Sequence, residues 1–256
     1  MADPSPDAGP ERQARLGRPA VVYAWLSAIF CTSLIVADIV GVKLFRIDLP
    51  FTLPLLGWKS FEHTCGMLTF PVTFLLTDLL NEYYGKRAAR RVVYIGFAMG
   101  LFVFTVLNIS RAMPHWDVPF NVDRGEFDRI LGAGQVMFIA SLCAYLSSNL
   151  VDIAIFASFK RATRGRHIWL RATGSTLVSQ LIDSFIVTYL AFGLGRSFFS
   201  EPGDPPPMPA HEIINTALTG YVLKFLIAVA ITPLIYAGRA ALRDLAGLTP
   251  IPAEQA

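Results

Sequence analysis

Two five-residue segments of this chain are near copies. One reads Ser148-Asn149-Leu150-Val151-Asp152 and the other Ser179-Gln180-Leu181-Ile182-Asp183. In each, an amide and a carboxylate stand three residues apart, which puts both on one face of a helix. Together they offer donors and acceptors suited to the polar edge of a small solute. Both copies lie in apolar stretches, and an aspartate at the centre of a membrane helix costs roughly 2.5–3.5 kcal/mol on insertion. A chain that carries this arrangement twice is expected to line a polar cavity inside a membrane bundle, where a solute binds or passes.

The elements that must hold these residues are membrane helices. The chain has 256 residues, 54% hydrophobic and only 16% charged, whereas a soluble domain carries about 25% charged residues. A bilayer core of roughly 30 Å needs about 20 apolar residues per crossing. Pro19 to Ala37, Val92 to Ser110 and Ile130 to Val151 carry no charge. Gly66–Asn81, Ala172–Gly195 and Ile213–Gly238 are shorter or interrupted by single charges. The expectation is an all-α membrane protein of six transmembrane helices. A buried soluble core is excluded because too little polar surface remains to cover six such runs.

Lys and Arg distribute unevenly between the connections. Fourteen lie in the N-terminal tail, the second-to-third and fourth-to-fifth connections and the C-terminal tail, against seven on the opposite side. The positive-inside rule then places both termini in the cytoplasm. The net charge of +3 reflects this bias and does not point to nucleic acid. The division is a disordered cytoplasmic tail over 1–19, a transporter domain over 20–238 and a cytoplasmic tail over 239–256. The first span is long enough to stay as a helix, so the N-terminal region is not read as a signal peptide. Lys43 to Thr64 is expected to form a short hairpin or a loop over the bundle, and Ser110 to Gly132 an interfacial helix. Residues 201–209, with five prolines, read as a stiff loop.

Placed by the helical rise of 1.5 Å per residue, four charges fall near one depth. Asp152 and Asp78 each stand eight residues from the basic edge marked by Lys160 and Lys86, about 12 Å. Asp183 is twelve residues from Arg171, and Lys224 twelve from Glu212, about 18 Å each. Three acids and one base give the cavity an acidic excess. Other partners are open to these groups. Glu82 can pair with Lys86 on the next turn, Lys224 can neutralise one aspartate, and Asp38 can pair with Lys43. Asn149 and Gln180 can also join helices by hydrogen bonds. Pro71 and Pro233 are expected to kink their helices and free backbone carbonyls. Cys31, Cys65 and Cys143 lack metal-site spacing. No GxxxxGK[ST], HExxH, GxSxG or paired CxxC is present, so the chain carries no ATP site of its own and no metal or cofactor is expected.

Several runs resemble one family. Phe70-Pro71, Thr77-Asp78, Asn81-Glu82, Tyr84-Gly85-Lys86 and Ala88-Ala89-Arg90-Arg91 look like the signature of the YhhQ-type queuosine-precursor transporters, also called the vitamin uptake (VUT) family. Ala140 through Tyr145, the Asn149/Asp152 pair, Trp169-Leu170-Arg171, Ser175-Thr176 and Ser179 through Asp183 continue the match. So do Lys224 and Thr232-Pro233-Leu234-Ile235-Tyr236. The resemblance spans residues 22 to 238. It departs at Ala37-Asp38, where the family often has Ala-Asn.

The resemblance implies a multi-pass protein of the bacterial inner membrane, not an enzyme, that imports 7-deazaguanine compounds salvaged for queuosine in transfer RNA. The implied partners are that small molecule and the lipid bilayer, with a homodimer allowed and no nucleic acid. The site expected on the residues above is Asp78, Glu82, Asn149, Asp152, Gln180, Asp183, Lys224 and Phe70. A carboxylate would accept the ring N–H and amine of a guanine-like edge, an amide or Lys224 would donate to its carbonyl, and an aromatic such as Phe70 or Tyr145 would stack on the ring. The alternative is a substrate-binding membrane subunit that depends on separate ATPase partners. An intramembrane aspartyl protease is disfavoured, since Gly-x-Gly-Asp is absent from the helices.

Overall fold

The computed structural model describes residues 17–48, 50, 60–132, 135–164, 166–198 and 206–252. In chain order the elements are α1 (Arg18–Val40), a hairpin of β1 (Leu44–Asp48) and β2 (Ser60–Thr64), a 3-10 turn (Cys65–Leu68), α2 (Phe70–Ala112), α3 (Arg124–Gly132), α4 (Gln135–Ala162) and α5 (Ile168–Thr188). A π-helical stretch (Tyr189–Gly195) leads into the short α6 (Arg196–Phe198), and α7 (Ala210–Ala246) closes the chain. Five stretches are long and apolar enough to cross a membrane: Arg18–Val40, Phe70–Ala112, Gln135–Ala162, Ile168–Phe198 and Ala210–Asp244.

The side chains are distributed as a bilayer demands rather than as water does. Trp25, Phe102 and Leu226 are 66%, 62% and 50% exposed, while Asp78, Asn81, Glu82, Asp152, Arg171 and Gln180 are at most 3% exposed. Water would drive the first set inward. A hydrocarbon solvent leaves them outside and forces polar side chains to find partners within the bundle.

At 43 residues, α2 would be about 65 Å long if straight, twice the thickness of the bilayer core. It is not straight. Gly85 has φ 78 and ψ 170, a conformation open almost exclusively to glycine and costly by about 1–3 kcal/mol for other residues. The contacts on either side show that the chain turns back there. Along α1, Tyr84 Oη donates to the Pro19 carbonyl at 2.8 Å and Tyr23 Oη to that of Ala88 at 3.1 Å. At the far end of α1, Gly66 lies against the Ala37 carbonyl and Asp38 borders Phe104. Along α4, Asn81 Nδ2 donates to the Ile153 carbonyl at 3.1 Å and Thr77 Oγ1 to Asn149 Oδ1 at 3.4 Å. Tyr145 Oη then donates to the Val93 carbonyl at 3.0 Å, and Gly100 lies against Leu142. Residues 70–84 and 86–112 are therefore two arms running antiparallel past the same two helices. Phe30, Leu34, Leu76, Leu80, Val92, Val93, Leu142 and Tyr145 fill the space between them.

The connection over Lys43 to Thr64 is a hairpin, with Leu44 opposite Thr64 and Phe45 opposite His63; residues 51–59 of it lie outside the description. In the Ser110 to Gly132 connection a helix forms at Arg124–Gly132, held to the end of α2 by an Arg111–Asp128 ion pair of 3.0 Å. One expectation about proline is corrected. Pro71 sits in the first turn of α2, where the missing N–H has no helical partner to lose, so it causes no kink. Pro233 lies inside α7, where its lack of an N–H leaves the Val229 carbonyl without a helical donor. The last helix also runs beyond Gly238. It ends at Gly247 (φ +65), where Gly247 N donates to the Arg243 carbonyl and Leu248 N to that of Leu242, both at 3.1 Å. This closing turn sends the chain back until Ile251 N donates to the Glu82 carbonyl at 3.0 Å. The tail over 1–16, most of the proline-rich loop (199–205) and residues 253–256 lie outside the described residues.

Candidate functional site

The two near-identical segments face each other. α4 and α5 run antiparallel, and Ser148 Oγ of one copy donates to Asp183 Oδ1 of the other at 3.1 Å. Ser179 Oγ donates in return to Asp152 Oδ1 at 3.0 Å. Each serine thus serves the other segment's aspartate, which needs the serine–aspartate spacing of four that both segments share. A helix turn of 3.6 residues places the two positions one above the other.

The polar side chains form three levels. At the hairpin end, Asp183 Oδ2 accepts from Lys224 Nζ at 2.5 Å. The same ammonium lies 5.4 Å from the centre of the Phe70 ring, a cation–π distance. One turn deeper sit Asp152, Asp78 and Gln180. Asp152 Oδ2, Asp78 Oδ1 and both polar atoms of the Gln180 amide are buried without a hydrogen-bond partner among the described residues. A small cleft between α2, α5 and α7 reaches Asp78 past Phe74, Thr176, Ala228 and Thr232. Gln180 stands one turn along the same face of α5 as Thr176.

Deepest lies Glu82, next to the turn at Gly85. Its carboxylate meets Lys160 Nζ of α4 at 2.9 Å, Arg171 Nη2 of α5 at 2.6 Å and Arg239 Nη2 of α7 at 3.7 Å. Lys160 also donates to the Glu82 carbonyl at 3.0 Å, and the Arg171 guanidinium lies over Phe156 at 5.4 Å. One carboxylate ties four elements together at the end where Ile251 returns.

The eight expected site residues are therefore all inside the bundle, but they do not act alike. Phe70, Asp183 and Lys224 form one group and Asp78, Asp152 and Gln180 the next. The Ser148–Asp183 and Ser179–Asp152 bonds set the two aspartates about one turn apart, the same offset that the helical rise gives them. The Glu82–Lys86 pairing is corrected. Beyond Glu82 the helix breaks at Gly85, so Lys86 is not presented on the next turn, and three cations from other helices take its place. Asn149 donates from Nδ2 to the Tyr145 carbonyl at 2.9 Å and accepts from Thr77, which makes it a joint between α4 and α2. Asp38 accepts from Ser141 Oγ at 2.9 Å rather than pairing with Lys43.

Three contributors escape a reading of the residues alone. Ser148 and Ser179 belong to the repeated segments, yet their roles appear only when the segments are paired. His63 of β2 comes to the hairpin end of the site from a connection; its electrostatic neighbours are Lys224 and Asp183. Among the described residues no group of three or more His, Cys, Asp or Glu side chains is arranged to hold a metal ion.

Much of the chain is similar to known proteins. Residues 64–238 match the family described as "Putative vitamin uptake transporter". The chain is 30% identical over 178 residues to the "Probable queuosine precursor transporter" of Bacillus subtilis, covering 69% of this chain and 71% of that one. It is 27% identical over 202 residues to the "Queuosine precursor transporter" of Escherichia coli, covering 79% and 81%. A Haemophilus influenzae protein of the same description as the first is 27% identical over 165 residues, 60% of this chain and 65% of its own. No solved structure matches the chain. With its family match extending over more than half its length, and with polar side chains turned inward from lipid-facing helices, this multi-pass protein of the bacterial inner membrane belongs to the vitamin uptake transporter family.

Proposed function

We propose that the chain imports 7-deazaguanine precursors of queuosine, and that the base is read at the level of Asp78, Asp152 and Gln180. The observation that carries this is the set of buried, unpartnered oxygens and nitrogens on those three side chains. Leaving such groups unmet costs about 1–3 kcal/mol each, so a ligand that supplies the missing partners is bound in proportion. A 7-deazaguanine edge presents a ring N–H and an amine to carboxylates and a carbonyl to an amide. The names of the relatives, queuosine precursor transporters, support the same substrate.

The transporter domain is residues 20–238 with six crossings, the two arms of α2 each counting as one. Their antiparallel course past α1 and α4 supports that number. Both termini are cytoplasmic, supported by the Lys/Arg imbalance and by α1, whose residue 19 end meets the turn at Gly85 among Lys86, Arg87, Arg90 and Arg91. In this orientation the Glu82 cluster closes the inner end and the Asp183–Lys224 pair lies toward the outside. A reporter active only outside the cell, fused after Ala256, is expected to be silent, and a strong signal would reverse the orientation.

Uptake of labelled precursor into cells that cannot make it tests the function. The chain is expected to restore accumulation, with unlabelled precursor competing at least about tenfold better than guanine and adenine competing hardly at all. Equal competition by adenine would remove the carboxylate-edge reading. Loss of uptake on adding a proton uncoupler separates proton coupling from facilitated entry with trapping in RNA.

A further inference from the structure

The β1–β2 hairpin is fixed to the bundle. Cys65 N donates to the Lys43 carbonyl at 2.8 Å, and a side chain on Gly66 would meet the Ala37 carbonyl at 2.7 Å, so the hairpin base packs directly on the end of α1. His63 is therefore held by strand pairing, opposite Phe45. Its Nδ1 accepts the Thr64 backbone N–H at 2.9 Å. A nitrogen that accepts carries no proton, so the ring is in its neutral form with the proton on Nε2. Burial, and then the Lys224 ammonium, push its pKa down to about 4, which keeps that form at neutral pH. Nε2 points toward α7. A methyl group on Gly220, one turn before Lys224, would lie 3.7 Å from it. Nε2 makes no hydrogen bond to the described residues.

We propose that His63 is a substrate-contacting residue, a fixed N–H donor that takes the ring carbonyl of an entering 6-oxo-7-deazapurine beside Asp183 and Lys224. This rests on the substrate class inferred above and adds a selectivity step at the outer end. A neutral donor that cannot turn into an acceptor without breaking the Thr64 bond welcomes a carbonyl and turns away an amine at the same ring position. Lys224 is likewise a donor without acceptor capacity, but its ammonium is held by Asp183 at 2.5 Å, whereas Nε2 of His63 has no such partner among the described residues.

The test uses the full-length protein in lipid nanodiscs and binding of labelled 7-aminomethyl-7-deazaguanine. Unlabelled 7-deazaguanine and its 6-amino counterpart, 2,6-diamino-7-deazapurine, are the competitors. In His63→Leu, binding of the labelled compound and competition by 7-deazaguanine are expected to weaken by roughly tenfold, with competition by the diamino compound unchanged. His63→Gln, which keeps an N–H at similar reach, should recover most of the affinity. In uptake assays His63→Leu should raise KM and leave the maximal rate near that of the parent. Parent-like affinity and selectivity in His63→Leu would overturn the proposal. So would an equal loss for both competitors, which marks a structural role. If the parent protein itself fails to bind the labelled compound, the substrate reading fails and the role of His63 is overturned with it.

Discussion

Glu82→Gln is expected to cripple folding of the protein. The substitution leaves Lys160 and Arg171, both at most 2% exposed, facing a neutral amide, with Arg239 close by. Removing one partner of a buried ion pair costs about 3–5 kcal/mol, because the remaining charge is stranded without water. Arg239 adds less, since its side chain is one-third exposed and solvent screens it. The cost falls on the contact that joins α2, α4, α5 and α7 next to the Gly85 turn, so no single helix can absorb it. The measurement is thermal melting in detergent alongside the amount of monodisperse protein recovered from membranes. A double variant, Glu82→Gln with Arg171→Met, should recover part of the loss, since it removes one stranded charge. A single variant that melts with the parent would show that water reaches the cluster.

Asp183→Asn is expected to lower uptake by more than about a hundredfold at normal membrane abundance. Lys224 loses its carboxylate while still buried, and stranding it costs about 3–5 kcal/mol; Ser148 loses a charged acceptor as well. Asp152→Asn should fall in the same direction with a smaller effect, since the hydrogen bond from Ser179 survives with an amide oxygen as acceptor. Lys224→Met combined with Asp183→Asn should melt higher than Asp183→Asn alone without restoring uptake, because the pair can be removed together while the proposed contact with the solute is lost. The experiment is initial-rate uptake of labelled precursor, normalised to protein in the membrane. Near-parent rates in both aspartate variants would place the solute path elsewhere.

Much of this was legible in the sequence because membrane helices announce themselves by composition. Six apolar runs and the repeated Ser–amide–Asp pattern needed no tertiary information, and every candidate side chain lies within the bundle. What was hidden depends on which helix lies beside which. Glu82 and Lys86 are four apart, the spacing of a helical ion pair, yet Gly85 stands between them with a backbone no helix contains. Its real partners are 78 to 157 residues away in sequence, and no local rule links them. His63 was invisible for a similar reason. It belongs to a short strand in a connection, and only the packing of Gly66 on α1 brings it over α7. The depths read from helical rise, about 12 Å for Asp152 and about 18 Å for Asp183, already contain the one-turn offset; what they could not give is that each aspartate would meet the other segment's serine.

The reciprocal serine–aspartate bonds carry a geometric consequence. Exchange of Ser148 with Ser179 and of Asp183 with Asp152 maps each bond onto the other, so a local two-fold axis passes between α4 and α5 in the plane of the membrane. Rotation about it swaps the outward aspect of the crossing for the inward one. On the proposed path, a solute moving from the carboxylate of one helix to that of the other meets the same chemistry inverted, after a step of about one helical turn, 5.4 Å. The pair has no preferred direction of its own. Direction enters through what breaks the symmetry: Lys224 and the hairpin on one side, and the cluster around Glu82 on the other.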